Sequence, residues 1–140
     1  MASWSSEVYD AEWAAGVAIL RPLLSVDEAQ HVVNCVLRKK WWKKLSAIRK
    51  VTVSYRSSWE HMSSAEDHRT RGEILLTMGN LCEGTVYHEM AHMCYGDSDN
   101  SHAAPFVRAH LAILDHCLNS PSLVHRYRME LAIRGVPGTI

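Results

Sequence analysis

Glu73-Ile74-Leu75-Leu76-Thr77-Met78-Gly79-Asn80-Leu81-Cys82-Glu83-Gly84-Thr85-Val86-Tyr87-His88-Glu89-Met90-Ala91-His92 carries a strand pattern straight into a helix pattern. Its first six residues form a short apolar run closed by Gly79-Asn80, as in a buried strand. Asn80-Leu81-Cys82-Glu83 then offers a capping pattern, which predicts a helix from there to Tyr95 with Gly96 as its left-handed stop.

The end of that helix carries His88-Glu89-Met90-Ala91-His92, an H-E-x-x-H sequence. Residues four apart share a helical face about 6 Å along the axis, so two imidazoles there can reach one metal ion. Glu89 is turned aside from that face yet adjacent to it, where it can hydrogen-bond a water at the metal instead of binding the metal.

A catalytic zinc takes three protein ligands and keeps one position open, and neutral imidazole is a favoured ligand. His102, in Ser101-His102-Ala103-Ala104-Pro105-Phe106, is the expected third ligand, brought back by a tight turn over Gly96 to Ser101. Asp97, Asp99, His110 and Asp115 are its rivals. The two aspartates suit a turn, and Asp115 would suit a late carboxylate ligand.

Working outward, Asp97 to Ser101 is a turn by composition, followed by a helix from about His102 to Leu118 with Pro105 in its first turn. Ser120-Pro121 places an N-cap and an N1 proline before a last helix, whose Leu123, Val124, Tyr127 and Leu131 share a face and which Gly135 ends. Upstream, Ser57 to Arg71 lacks either period and reads as a long loop, preceded by a strand over Arg49 to Tyr55 that contains Val51-Thr52-Val53. Ser25-Val26-Asp27-Glu28 has capping-box form and opens a long helix whose apolar face runs through Ala29, Val32, Val33, Val36 and Leu37 to Trp41 and Leu45. Tyr9, Trp13, Val17 and Leu20 recur near helical period over Val8 to Leu20, until Pro22. The order, two helices, two strands and three helices, predicts an α+β domain.

Composition sets the bounds. With 140 residues the chain has room for one domain, expected over 1–140, and little room for a second. Fifteen Lys and Arg balance fifteen Asp and Glu, which argues against a nucleic-acid coat protein or a disordered acidic tail. No apolar run approaches the ~18 to 20 residues of a membrane span, so no membrane partner is expected. Met1 to Asp10 lacks a basic residue leading into an apolar stretch, so it does not read as a secretory signal, and the expected compartment is the cytosol. Cys35, Cys82, Cys94 and Cys117 form no C-x-x-C pair and are expected to be reduced, partly buried thiols.

One segment hides inside the neutral total. Arg38 to Lys50 holds seven of the fifteen basic residues, and no acid occurs from Ala29 to Trp59. Arg38, Lys39, Lys40, Lys43 and Lys44, with Trp41 and Trp42 between them, are the candidates for weak nucleic-acid contact. The competing expectation is a helix end whose Trp41 packs inward while the cations stay solvated.

His88-Glu89-Met90-Ala91-His92 followed by His102-Ala103-Ala104-Pro105-Phe106 resembles the SprT-like zincin metallopeptidases, where H-E-x-x-H precedes a His-Gly-x-x-Phe element. The layout is also similar to a small, largely uncharacterised group of metallohydrolases from actinobacteria and their phages, with Val8-Tyr9-Asp10-Ala11-Glu12 at the start and Val51-Thr52-Val53 as a strand. The resemblance covers nearly the whole chain. It implies a minimal zincin-like fold, several helices on a small sheet with the motif on a central helix, and Zn2+ held by His88, His92 and His102 with Glu89 as catalytic base. The usual glycine after the third histidine is Ala103 here, and these 140 residues hold no C-x-x-C pairs like those of the zinc-ribbon tail of larger SprT-like proteins.

The function expected is a zinc-dependent metallopeptidase acting on a protein or peptide substrate. The alternative is a non-enzymatic zinc-containing module that binds a partner or nucleic acid, in which a carboxylate at position 89 has no use. The developing oxyanion needs a second donor, which the sequence does not single out; Tyr95, His125 and Tyr127 are candidates, with a structural role as the competing expectation for each. The strand from Glu73 to Met78 is expected to be an edge that takes an extended peptide by strand addition.

Overall fold

The computed structural model describes residues 4–23, 25–56, 64–94 and 102–140. Strands β1 (Lys50–Arg56), β2 (Ser64–His68) and β3 (Arg71–Thr77) form a sheet in the order β1-β3-β2, with β1 parallel and β2 antiparallel to β3. Val51 and Val53 of β1 pair with Gly72 and Ile74 of β3, and these residues with Leu76 point into the core. Lys50, Thr52, Arg71 and Glu73 alternate outward.

The sheet brings two corrections. Part of the expected loop from Ser57 to Arg71 is strand β2, whose polar composition hid it, and residues 57–63 of that loop lie outside the described residues. The expected edge strand, Glu73 to Met78, is the central strand β3, hydrogen-bonded on both sides. At the β1 edge the Gln30 side chain stands in for a neighbouring strand: its amide donates to the Val51 carbonyl and accepts from the Val53 N–H, both at 2.8 Å. That side of the sheet is therefore closed to strand addition at its centre.

Among the described residues there are also six α-helices: α1 (Ser5–Ala15), α2 (Val26–Leu37), α3 (Lys40–Leu45), α4 (Glu83–Ala91), α5 (Ala104–Cys117) and α6 (Pro121–Ile133). α2 packs on β1 and α4, α5 packs on α4 and α6, and α1 packs on α6. The architecture is α+β. No described helix is long and apolar enough to cross a membrane.

The helices depart from expectation where tertiary contacts overrule local pattern. α1 stops at Gly16, whose φ of 82° ends it in the left-handed region, and a 3-10 turn follows over Val17–Ile19. The buried face of α1 is Val8, Ala11, Glu12 and Ala15, while Tyr9 and Trp13 from the expected apolar stripe are 49% and 63% exposed. The long helix from Ser25 breaks after Leu37, because Lys39 is extended before α3 begins. Ser25 does cap α2, its hydroxyl accepting from the Glu28 N–H.

The break decides which tryptophan enters the core. Trp42 is fully buried, its indole donating to the Ile48 carbonyl at 2.9 Å, whereas Trp41 stays half-buried and stacks on His116 at 4.6 Å. Helix α6 matches expectation: Val124, Tyr127 and Leu131 are buried, and Gly135 follows it at a φ of 75°. All four cysteines are free, with Cys82 and Cys94 buried.

Candidate metal centre

Helix α4 is positioned by main chain from elsewhere. Its expected capping pattern at Asn80 is absent: residues Met78–Asn80 form a 3-10 turn, and the N-cap residue Cys82 makes no side-chain cap. The first amides of α4 instead donate to carbonyls after α1, Glu83 N–H to Arg21 and Gly84 N–H to Leu20. Gly84 permits this approach, since a β-carbon there would overlap the Val17 carbonyl oxygen. Beyond the helix, the buried Ser46 hydroxyl donates to the Met93 carbonyl at 2.6 Å. The H-E-x-x-H segment is thus held at both ends.

α4 ends at Ala91 and His92 is its C-cap residue, so the helix is shorter than expected; Tyr95, Gly96 and the turn to Ser101, with Asp97 and Asp99, lie outside the described residues. His102 precedes α5 rather than opening it, because α5 begins at Ala104. Its φ is 56°, in the left-handed region that non-glycine residues seldom occupy. Ala103 has φ −77° and ψ −175°, ordinary extended backbone, so no glycine is needed after the third histidine.

His88, His92 and His102 converge. One nitrogen from each lies within 4.8 Å of the others, and all three side chains are buried. The Nε2 atoms of His88 and His102 are 3.0 Å apart. Two nitrogens on a tetrahedral zinc stand about 3.3 Å apart, given Zn–N bonds of about 2.0–2.1 Å, so the His88–His102 pair is close to that spacing and the His92 nitrogen is within reach of the same ion. Phe106, the chain's one phenylalanine, packs among the rings, its centroid 4.8, 4.5 and 4.7 Å from those of His88, His92 and His102.

Helix α1 supplies the outer contacts. Glu12, only 4% exposed, places Oε1 2.8 Å from Nδ1 of His88, and the Ser5 hydroxyl lies 2.9 Å from Nδ1 of His102. A carboxylate accepting from Nδ1–H leaves Nε2 as the lone-pair face of His88. A hydroxyl can donate or accept, so Ser5 serves either tautomer of His102. Between them Tyr9 stacks on His88, ring centroids 5.4 Å apart and planes 15° apart, and meets His102 edge-on at 5.1 Å. Burial, then the charges of Glu89 and Glu12, push the Tyr9 phenol up to about 12, so it stays protonated.

Sequence reasoning brought out the three histidines and Glu89 but missed Ser5 and Glu12 as their supports. Positions 5, 9 and 12 recur at i, i+4 and i+7, so a polar stripe on the first helix was the available signal. Among the rivals, Asp115 is exposed on α5. His110 is fully buried, with Nδ1 2.9 Å from the Tyr127 hydroxyl and Nε2 lacking a hydrogen-bond partner; with Glu12 and His88 it makes a second group able to hold a metal ion. Burial, then the nearby His88, His92 and His102, hold His110 well below the usual histidine range, hence neutral. Glu89 is buried, one residue from His88.

The basic segment contributes a separate surface. Lys43, Lys44 and Arg49 line a groove of about 470 Å³ with Arg69 from the turn between β2 and β3, and Met93 and Cys94 form its wall. The Arg49 guanidinium is committed to the Ser46 and Ile48 carbonyls. No family model, curated protein or solved structure matches this chain.

Proposed function

We propose that this chain is a zinc-dependent metallohydrolase of the SprT-like type, most simply a peptidase. The observation that carries the proposal is the convergence of three buried histidine nitrogens with Glu89 at the position next to His88. His88, His92 and His102 would hold the ion, and an all-imidazole set of three suits zinc with one open position. Zinc, when bound, supplies Lewis acidity and brings the pKa of a coordinated water towards ~7.

Glu89 then acts as general base. It takes a proton from the water as the oxygen bonds to the carbonyl carbon of the substrate, and returns it to the leaving nitrogen as the C–N bond breaks. Glu12 and Ser5 keep two of the histidines oriented. The open edge nearest α4 among the described residues is β2, and it suits an extended peptide.

The test compares wild type with Glu89→Ala for zinc content and for hydrolysis of an unbiased peptide library. The expected result is about one zinc per chain in both proteins, with kcat/KM lowered by about 10²- to 10⁴-fold in the variant. Equal activity in both would refute the role of Glu89, and unchanged zinc content in His88→Ala would refute the site.

A second reading draws on the groove bearing Lys43, Lys44 and Arg69 beside Met93, one residue past His92. It supports nucleic-acid contact, whether the chain is an enzyme or a zinc-containing binding module. Double substitution of Lys43 and Lys44 by Glu is expected to abolish salt-dependent binding to a single-stranded oligonucleotide, read by fluorescence anisotropy. Binding that survives the substitution would remove this reading.

A further inference from the structure

The proposed hydrolysis leaves one requirement open: a second donor for the charge that develops on the carbonyl oxygen. The residues expected from sequence do not meet it. Tyr127 is fully buried with its hydroxyl against His110, His125 is exposed on α6, and Tyr95 lies outside the described residues.

Tyr9 has the properties the role needs. It sits on α1 between two anchored residues, Ser5 at His102 and Glu12 at His88, so its backbone is fixed over the ligand rings. Its ring lies flat on His88 and against the side of His102. The three metal-binding histidines and Glu89 are buried, yet Tyr9 is 49% exposed, which places it at the boundary between site and solvent. Its hydroxyl makes no hydrogen bond among the described residues, so the O–H is available to a ligand.

We infer that Tyr9 is a catalytic residue whose phenolic O–H hydrogen-bonds the substrate oxygen as it becomes an oxyanion. The inference rests on the metallohydrolase reading above and extends it to a named donor. As the water oxygen bonds to the carbonyl carbon, the C=O π pair moves onto the substrate oxygen, and Tyr9 donates a hydrogen bond to it without giving up the proton. Glu89 handles the proton that is transferred, so the two groups divide the work. Stacking on His88 explains why a tyrosine stands where a lone hydroxyl would suffice: the ring is held in place by the ligand it covers.

The test uses the full chain loaded with Co2+ in place of zinc, titrated with acetohydroxamate, and read by the visible cobalt bands. Its probe is a small metal-binding anion with an oxygen placed like the oxyanion. Tyr9→Phe keeps the ring and removes only the donor. The expected result is cobalt affinity within about twofold of wild type and an acetohydroxamate Kd raised about tenfold, the loss of one hydrogen bond to a charged oxygen. Turnover on an identified peptide should fall about 10²- to 10³-fold in kcat with KM little changed.

An unchanged acetohydroxamate Kd in Tyr9→Phe overturns the inference. So does a loss of cobalt affinity as large as the loss of acetohydroxamate affinity, which would make Tyr9 a support of the histidines alone. Failure of the wild type to bind cobalt overturns the metallohydrolase reading and this one together, and is told apart because it appears before acetohydroxamate is added. Should Tyr9→Phe fail to fold, Tyr9→Trp keeps a stacked ring with a donor at a different position and must show the same separation of the two affinities.

Discussion

A buried carboxylate is costly unless it is paired, and Glu12 is buried on a helix whose other inward residues are Val8, Ala11 and Ala15. The imidazole of His88 supplies the pairing, at 2.8 Å. Glu12→Ala is therefore expected to weaken zinc binding by about 10- to 100-fold, measured by competition with a chromophoric chelator. Glu12→Gln, whose amide oxygen still accepts from Nδ1–H, should lose less, and equal losses in the two variants would contradict an orienting role. At Cys117, burial pushes the thiol up to about 11. A raised value means the thiol form persists through neutral pH and the thiolate appears only as pH approaches 11. Alkylation by iodoacetamide, followed by mass spectrometry, should be slow at pH 8 and still rising at pH 10; a plateau below pH 9 would contradict this environment.

For the elements, the site depends on how α4 meets the segment after α1. The main-chain bonds from Glu83 and Gly84 to Arg21 and Leu20 leave no room for a side chain at position 84. Gly84→Ala, although it favours helix locally, is expected to destabilise the fold by about 1–3 kcal/mol through overpacking against the Val17 carbonyl. Urea denaturation would check the sign, and a stabilised variant would mean the contact is looser than described. The helices also show what local pattern can and cannot reveal. Val124, Tyr127 and Leu131 of α6 were legible because a helix packed by one face shows its period. The α1 face was misread because its inward residues include a carboxylate that a hydropathy pattern assigns to solvent. The break at Lys39 has no glycine or proline to announce it; it accompanies the burial of Trp42, whose indole donates to the Ile48 carbonyl beyond the end of α3.

Across the whole molecule, a metal ion would tie together α1 through Ser5 and Glu12, the end of α4, and the residues before α5. These segments are far apart in the chain, so binding should stabilise the folded state against the unfolded one. At a free zinc concentration 100 times Kd the gain is about 2.7 kcal/mol, which raises the melting temperature by roughly 10 °C. Calorimetry with and without zinc should show the shift, EDTA should reverse it, and His92→Ala should abolish it. A shift that survives His92→Ala would place the ion elsewhere.

The sequence by itself determined the α+β class, the H-E-x-x-H pair with Glu89 between its histidines, and His102 as their companion. Spacing along a helix and residue chemistry are local properties, so they can be read without coordinates. The tertiary structure alone decided that β3 is central, that β2 is a strand, and that Trp42 enters the core. It also decided that Ser5, Tyr9 and Glu12 face the histidines, at sequence separations of 76 for Glu12 and His88 and 97 for Ser5 and His102. Those outcomes depend on packing between distant segments, where burial of one group and pairing of another are settled together and no single stretch of chain records the result.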